Sequence, residues 1–310
     1  MSKYILKRLL TLIPTLLAVI FIVYFIMDLT PGSPGVLILG ERASQEEIDA
    51  KNEELGYNDP LPVRYVNYVA DLVRGDMGKS WKSGRPVTGE ILARLPVTVT
   101  LAVGAILIGT VVGILVGILS AVKQYSFLDF SATAIAMALA SFPGFWIGMM
   151  LILLFSLYLG WLPSFGGGDL KHYILPWITT ACPFMASQMR MTRTSMLEVI
   201  RMDYIRTARA KGQRESKIIM QHALRNALLP VITILGINFG GLLGGTVTIE
   251  TVFTLPGVGS LIIEAIRTKD VPIVTGATVM LASFFAILML IVDVLYAYID
   301  PRIKSRYERK

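Results

Sequence analysis

The chain has 310 residues, 54% of them hydrophobic and 16% charged, with a formal net charge of +7. That balance excludes a disordered chain and argues against an ordinary soluble domain. A single cysteine, Cys182, excludes an internal disulfide framework and a thiolate zinc cluster, and two histidines, His172 and His222, leave little for a histidine metal site.

A helix that spans a bilayer needs about 20 apolar residues. Six uncharged runs reach that length or come close: Leu9–Met27, Leu95–Val122, Phe130–Gly168, Tyr173–Met189, Asn226–Ile249 and Val271–Val292. The third is long for one helix and is ended near Leu159, since "GWLPSFGGG" is loop chemistry. The fourth is the shortest and carries Pro176 and Pro183. The first run follows Lys3, Lys7 and Arg8, as a signal peptide would. Its apolar stretch is too long for one, and "MDLTPGSPG" offers no clear small-x-small cleavage site. The expected fold is therefore an all-α polytopic membrane protein with six transmembrane helices and both ends on one side.

Lys and Arg concentrate in alternate connections. The segment Asp28–Arg94 carries eight positive and eleven negative residues, whereas Arg190–Arg225 carries nine positive and three negative. The positive-inside rule puts both termini and Arg190–Arg225 in the cytoplasm and Asp28–Arg94 outside. The expected layout is 1–27 as the first helix, 28–94 as an extracytoplasmic region, 95–302 as the membrane core with a cytoplasmic loop over 190–225, and 303–310 as a cytoplasmic tail. Positive charge placed this way addresses a membrane surface, not nucleic acid.

The outer segment carries helix signals. "SQEE" at Ser44–Glu47 has capping-box spacing, and Gly56 can stop the helix that follows. A second helix is predicted from Leu61 to Arg74, with Tyr65, Val69 and Leu72 on one face and Gly75 after it. "GDMGKSW" contains Gly78, Lys79 and Ser80, the tail of a phosphate loop. Val73 stands where the leading glycine is required, so ATP is not expected to bind here.

Within the spans, Gly109, Gly113 and Gly117 recur every fourth residue, as do Gly236, Gly240 and Gly244. Such stripes let helices pack closely in lipid. No span carries a charge near its centre; Glu250 and Asp293 read as boundary residues. Asn238, Thr246 and Thr248 are the polar candidates for lining a path, although a Thr or Asn bonded to a neighbouring helix is the commoner case.

The loop between the fourth and fifth runs reads "RMDYIRTARAKG". Asp203 is a good N-cap and Gly212 a good terminator, so a helix of about two turns is predicted between them. Arg206, Arg209 and Lys211 make it cationic, while Thr207, Ala208 and Ala210 keep it slim. A second helix from about Glu215 puts Ile219, Ala223 and Ala227 on one face. The basic residues suit either anionic headgroups or a protein groove. A chain built like a transporter, with no ATP site and no charge relay of its own, favours a partner that supplies the work.

At these residues the chain resembles the ABC importer permeases of the dipeptide/oligopeptide and nickel branch. "DYIRTARAKG…HALRNALLP" is similar to their cytoplasmic coupling loop. "PGSP", "GDMGKSW", "RLPVTVTLA", "RMTRTSMLEV", "ETVFTLPGVG" and "DPRIK" extend the likeness along nearly the whole chain. Arg206-Thr207-Ala208 stands where the wider superfamily has Glu-Ala-Ala, and Leu229-Pro230 falls five residues later than the general pattern. The resemblance implies a permease of the methionine-importer-like fold that is not itself an enzyme. It implies a related second permease subunit, two ATPase subunits that bind ATP and Mg, an extracytoplasmic binding protein, and a peptide substrate. It also implies that Asp203, Tyr204, Ile205, Arg206, Thr207, Ala208, Arg209, Ala210, Lys211 and Gly212 form the ATPase-coupling element. No metal or cofactor is expected in this chain. Nickel or another small solute is the alternative cargo, and a membrane adaptor or receptor without transport is the alternative of another class.

Overall fold

The computed structural model describes residues 2–40, 42–166 and 168–299; side-chain surroundings are described for these except 2–9, 237, 239–241, 243–244 and 291–299. The helices in chain order are α1 (Ser2–Leu29), α2 (Pro34–Leu39), α3 (Gln45–Glu54), α4 (Leu61–Val73), α5 (Val87–Val122), α6 (Phe127–Ser141) and α7 (Gly144–Leu151). There follow α8 (Lys171–Ile200), α9 (Asp203–Ala210), α10 (Glu215–Lys217), α11 (Leu224–Val252), α12 (Val258–Arg267) and α13 (Val271–Ile299). Two π-helical segments continue helices: Ile152–Tyr158 after α7, and Ile218–Ala223 between α10 and α11. Among the described residues there is no strand beyond one isolated bridge, Lys79 with Pro86.

Among the described residues, four helices are long and apolar enough to cross a bilayer, or five if a bent pair counts as one span. That pair corrects the expectation of a single helix from Phe130 to Leu159. α6 and α7 meet at Pro143 with a bend of 108°. Proline disfavours helical backbone at Phe142 before it, which is extended (ψ 139°). The fourth expected run is part of α8, 30 residues long with both prolines inside. The hydroxyls of Thr179 and Thr180 donate to the carbonyls of Leu175 and Pro176, one turn earlier, at 2.7 and 2.8 Å.

The chain falls into two compact units, Met1–Thr98 with Pro256–Leu290, and Val99–Leu255 with Ile291–Lys310. In the first, Ile20, Tyr24 and Met27 of α1, Tyr68 of α4, Ile91 of α5 and Val274 of α13 are buried together. Tyr65, Val69 and Leu72 of α4 pack against that core, on the face the periodicity assigned. The Ser44–Glu47 capping box forms, with Ser44 N–H donating to the Glu47 carboxylate at 2.8 Å. That bond holds the Glu47 carboxyl below the usual carboxylate range. Gly35, the residue after "PGSP", is where α2 meets α3: its N–H donates to Asn52 Oδ1 at 2.8 Å, and an added Cβ would lie 2.7 Å from that oxygen.

Asp270 organises the "GDMGKSW" turn. Its carboxylate accepts from the Ser80 hydroxyl at 2.5 Å, from the Trp81 N–H at 3.1 Å and from the Lys82 N–H at 3.3 Å. Amides that would face a phosphate in a true phosphate loop are bound instead to this chain's own carboxylate. The neighbouring Lys269 is 1% exposed, with its ammonium donating to the carbonyls of Thr30 and Gly32 and to the Tyr57 hydroxyl.

In the second unit, α8 is the central helix. One stripe of α5 lies directly on it. A Cβ on Gly109 would collide with the Phe184 ring, one on Gly113 would lie 2.8 Å from Gln188 Cβ, and one on Gly117 would lie 2.6 Å from Thr192 Cβ. Gly104 extends the stripe against Trp177, whose indole donates to the Thr100 carbonyl at 2.9 Å. On the α11 side, Gln188 Nε2 donates to the Val231 carbonyl at 3.1 Å. On the α6 side, Arg193 pairs with Asp129 in two bonds of 2.7 and 2.8 Å, and Asp129 also accepts from the Ser120 hydroxyl and the Tyr125 N–H.

Candidate functional site

The predicted cytoplasmic helix is α9. It differs from expectation at its start. The N-cap is Met202, and no side chain caps the first turn. Asp203 is the first helical residue, exposed, with a carboxylate oxygen 3.7 Å from Arg206. An acid in this first turn still suits the helix dipole. The end is as read: Gly212 has φ +72°, its N–H donates to Arg209 O at 2.9 Å, and the Gln213 N–H reaches Ala208 O at 3.4 Å. Those two bonds form a Schellman terminator, which needs the left-handed residue that glycine supplies without steric cost.

An eight-residue helix cannot hold itself together in water. Here one side chain fastens it. Ile205 is fully buried among Met196 and Val199 of α8, Ile118 and Ala121 of α5, and Ile218 and Ala223 of the π-helical segment. Polar bonds add to this. Asn226 donates to the Tyr204 hydroxyl at 3.0 Å, Arg209 pairs with Glu215 at 2.5 Å, and His222 Nε2 lies 2.9 Å from Gln213 Oε1. Arg206, Thr207, Arg209, Ala210 and Lys211 remain exposed. The helix therefore has an apolar root and a mostly cationic outer face.

The helix that follows is out of the predicted register. Ile218, not Ile219, is fully buried with Ala223 and Ala227, and Ile219 packs at the edge of the cluster. The π-helical segment takes one extra residue per turn, so the buried positions are spaced five and then four. α10, this segment and α11 run without a break from Glu215 to Val252. Ile205 of α9 packs against the start of this continuous helix.

In the same unit, α7, α8 and α11 line a half-open cavity of about 400 Å³. α7 supplies Gly144 and Phe145, α8 supplies Thr179, Thr180 and Phe184, and α11 supplies Asn238, Leu242 and Thr248. Asn238 and Thr248, two of the three polar path candidates, are brought to this wall. Thr246 is not; it is buried at 1% exposure. Gly236 is buried, and the surroundings of Gly240 and Gly244 lie outside the described residues. Glu250, read as a boundary residue, is fully buried, and Asp293 has no described side-chain surroundings. The aromatic and threonine lining from α7 and α8 was not legible in the sequence; the Pro143–Gly144 pair that turns α7 toward α8 was its one signal. Among the described residues, no three His, Cys, Asp or Glu side chains gather as a metal site would require.

Residues 113–305 match the family described as "Binding-protein-dependent transport system inner membrane component", and residues 1–102 match the N-terminal family of such membrane components. The chain is 40% identical over 332 residues to the dipeptide transport system permease protein DppB of Alkalihalophilus pseudofirmus, covering 98% of this chain and 100% of that protein. It is 41% identical over 306 residues to the glutathione transport system permease protein GsiC of Pectobacterium atrosepticum, covering 99% and 100%. Among solved structures it resembles the inward-facing MetNI methionine ABC transporter. The TM-score is 0.60 at 18% identity, over 69% of this chain and 97% of that one, a likeness of fold.

Proposed function

The chain belongs to the binding-protein-dependent transport system inner membrane components, and we propose that it is the permease subunit of an ATP-driven importer of peptides, forming half of the translocation path. The observation that carries this reading is the end-to-end likeness, at about 40% identity, to permeases named for a dipeptide and for glutathione. The subunit would work with a related second permease, two cytoplasmic ATPases that bind ATP and Mg, and an extracytoplasmic binding protein. It would sit in the cytoplasmic membrane with both termini inside, with 28–94 as the outer region, 95–302 as the membrane core and 303–310, outside the described residues, as an inner tail.

In this reading residues 203–212 are the coupling element. The exposed cationic face of α9 enters a groove of an ATPase, and closure of the ATPases on ATP displaces α9. Support for transmission is the buried Ile205, which leaves no compliant layer between α9 and the ends of α5, α8 and α11. Close-packed side chains pass on a push as a shift of whole helices. Gln188 and its bond to Val231 O couple α8 to α11 one step further in. The outer region, tied down by Lys269 and Asp270, would present a rigid surface to the binding protein.

The test is co-purification with the products of neighbouring genes, followed by uptake into proteoliposomes. The expected result is a complex that hydrolyses ATP faster when binding protein and peptide are present, and that accumulates the peptide. Uphill uptake by this polypeptide alone, or a complex that binds peptide and never moves it, would replace the importer reading with a carrier or a receptor.

A further inference from the structure

The cavity between α7, α8 and α11 is half-open and lined by short polar and apolar side chains. At about 400 Å³ it is in the range of small-molecule sites. None of its lining residues is charged. Phe145, Phe184 and Leu242 provide apolar wall, and the hydroxyls of Thr179 and Thr180 already spend their protons on their own helix, which leaves them as acceptors. Two polar residues of α11 complete the lining, the exposed Thr248 and Asn238. The Asn238 side chain is half-buried; its amide nitrogen is shielded from solvent, has no hydrogen-bond partner among the described residues, and comes to the cavity only when the carboxamide turns about χ2. A buried donor left in that state is costly and calls for a partner.

We propose that Asn238 is the solute-contacting group of this subunit and that it bonds the main-chain amides of the passing peptide. The proposal rests on the importer reading above and adds to it a site and a mode of recognition. A carboxamide carries two donors and an acceptor on one plane, and half a turn about χ2 exchanges them. A peptide backbone presents the complementary groups in alternation, whatever its side chains are. The apolar walls take side chains without selecting among them. With no fixed charge, the cavity pins neither the ammonium nor the carboxylate end of a peptide. It therefore does not hold the solute too tightly to release it.

The test uses the assembled complex in proteoliposomes with two probes, alanyl-lysine and alanyl-glutamate. The parent complex sets the ratio of their uptake rates. Asn238→Asp puts a negative charge on the wall and should shift that ratio toward alanyl-lysine by at least about tenfold, since like charges a few ångströms apart in a shielded site repel strongly. A merely structural Asn238 would lower both rates and leave the ratio where it was, which would overturn the proposal. If Asn238→Asp does not assemble, Asn238→Cys in a Cys182→Ala background gives a second reading. A small hydrophilic thiol reagent should modify it, and saturating dialanine should slow that modification several-fold. Modification at an unchanged rate with dialanine present would equally overturn the assignment. Failure of the parent complex to carry either probe would instead bring down the importer reading and this inference with it.

Discussion

The ammonium of Lys269 donates to the hydroxyl of Tyr57 at 2.7 Å and stands 5.1 Å from the centroid of the same ring. The two residues are 212 positions apart. The ammonium's other two protons go to the carbonyls of Thr30 and Gly32, so all its donors are used. Lys269 itself has φ +52°, a backbone state uncommon for a residue with a Cβ. Asp270, next in sequence, turns the other way to hold the Ser80–Lys82 turn. One dipeptide between α12 and α13 thus fastens both halves of the 28–94 segment.

Lys269→Met keeps the stem and removes the ammonium. It leaves two carbonyls and a phenol without their donor, at a cost of about 2 kcal/mol after the relief of a buried charge is allowed for. The expected outcome is a lower unfolding midpoint in detergent and new protease cleavage within 28–60. An unchanged midpoint and an unchanged digest would show that the ammonium is not what holds the segment.

Elements that depend on near neighbours were legible before the structure. The Ser44–Glu47 box, the helix ending at Gly212 and the α5 stripe of Gly109, Gly113 and Gly117 follow from spacings of three or four residues. What was missed depends on distant partners or on direction. Ser80 and Asp270 are 190 positions apart, and no local pattern announces their bond. The bend at Pro143 lies inside an unbroken apolar run, and hydropathy is blind to the direction of a chain. The burial of Ile218 in place of Ile219 required the π-helical insertion, a departure from 3.6 residues per turn that a helical template does not contain.

Gly212→Val puts a β-branched residue at φ +72°. Left-handed backbone costs an L-residue about 1–2 kcal/mol, and a β-branched one more. The open space around Gly212 excludes a clash as the cause, so the effect is on backbone alone. The Schellman bonds from Gly212 and Gln213 should be lost, and α9 should fray at its cationic end. The expected phenotype is an assembled complex with uptake abolished, and Gly212→Asn, which tolerates this conformation, should keep most of it. Normal uptake by the valine variant would remove the case for α9 as a lever.

Ile205→Ala tests the root of the same helix. Truncating a fully buried isoleucine costs about 2–5 kcal/mol where the surroundings cannot collapse. α9 has eight residues and no reserve to absorb that. The expected result is uncoupling: ATP hydrolysis persists while peptide accumulated per ATP falls several-fold. Ile205→Leu, which keeps the volume, should couple nearly as the parent does. Equal loss of hydrolysis and uptake would indicate failed docking of the ATPase in place of failed transmission.

Two glycine-to-alanine changes in long helices should act with opposite sign, and their difference isolates close packing from backbone entropy. Alanine in a helix interior gains about 0.5–1 kcal/mol over glycine from the unfolded chain alone. At Gly245 a Cβ meets nothing within 4 Å, so that gain should appear nearly whole, as a higher unfolding midpoint in detergent. At Gly113 the same Cβ would lie 2.8 Å from Gln188 Cβ and 3.0 Å from the Met185 carbonyl. Those atoms belong to the backbone and the stem of α8, not to the free end of a side chain, so relief requires the two helices to part. Separation also strains the bond from Gln188 to Val231 O. Overpacking of this kind costs about 1–3 kcal/mol, which outweighs the propensity gain. Gly113→Ala should therefore lower the midpoint. If both variants were stabilised alike, α5 would not rest on α8 through this face.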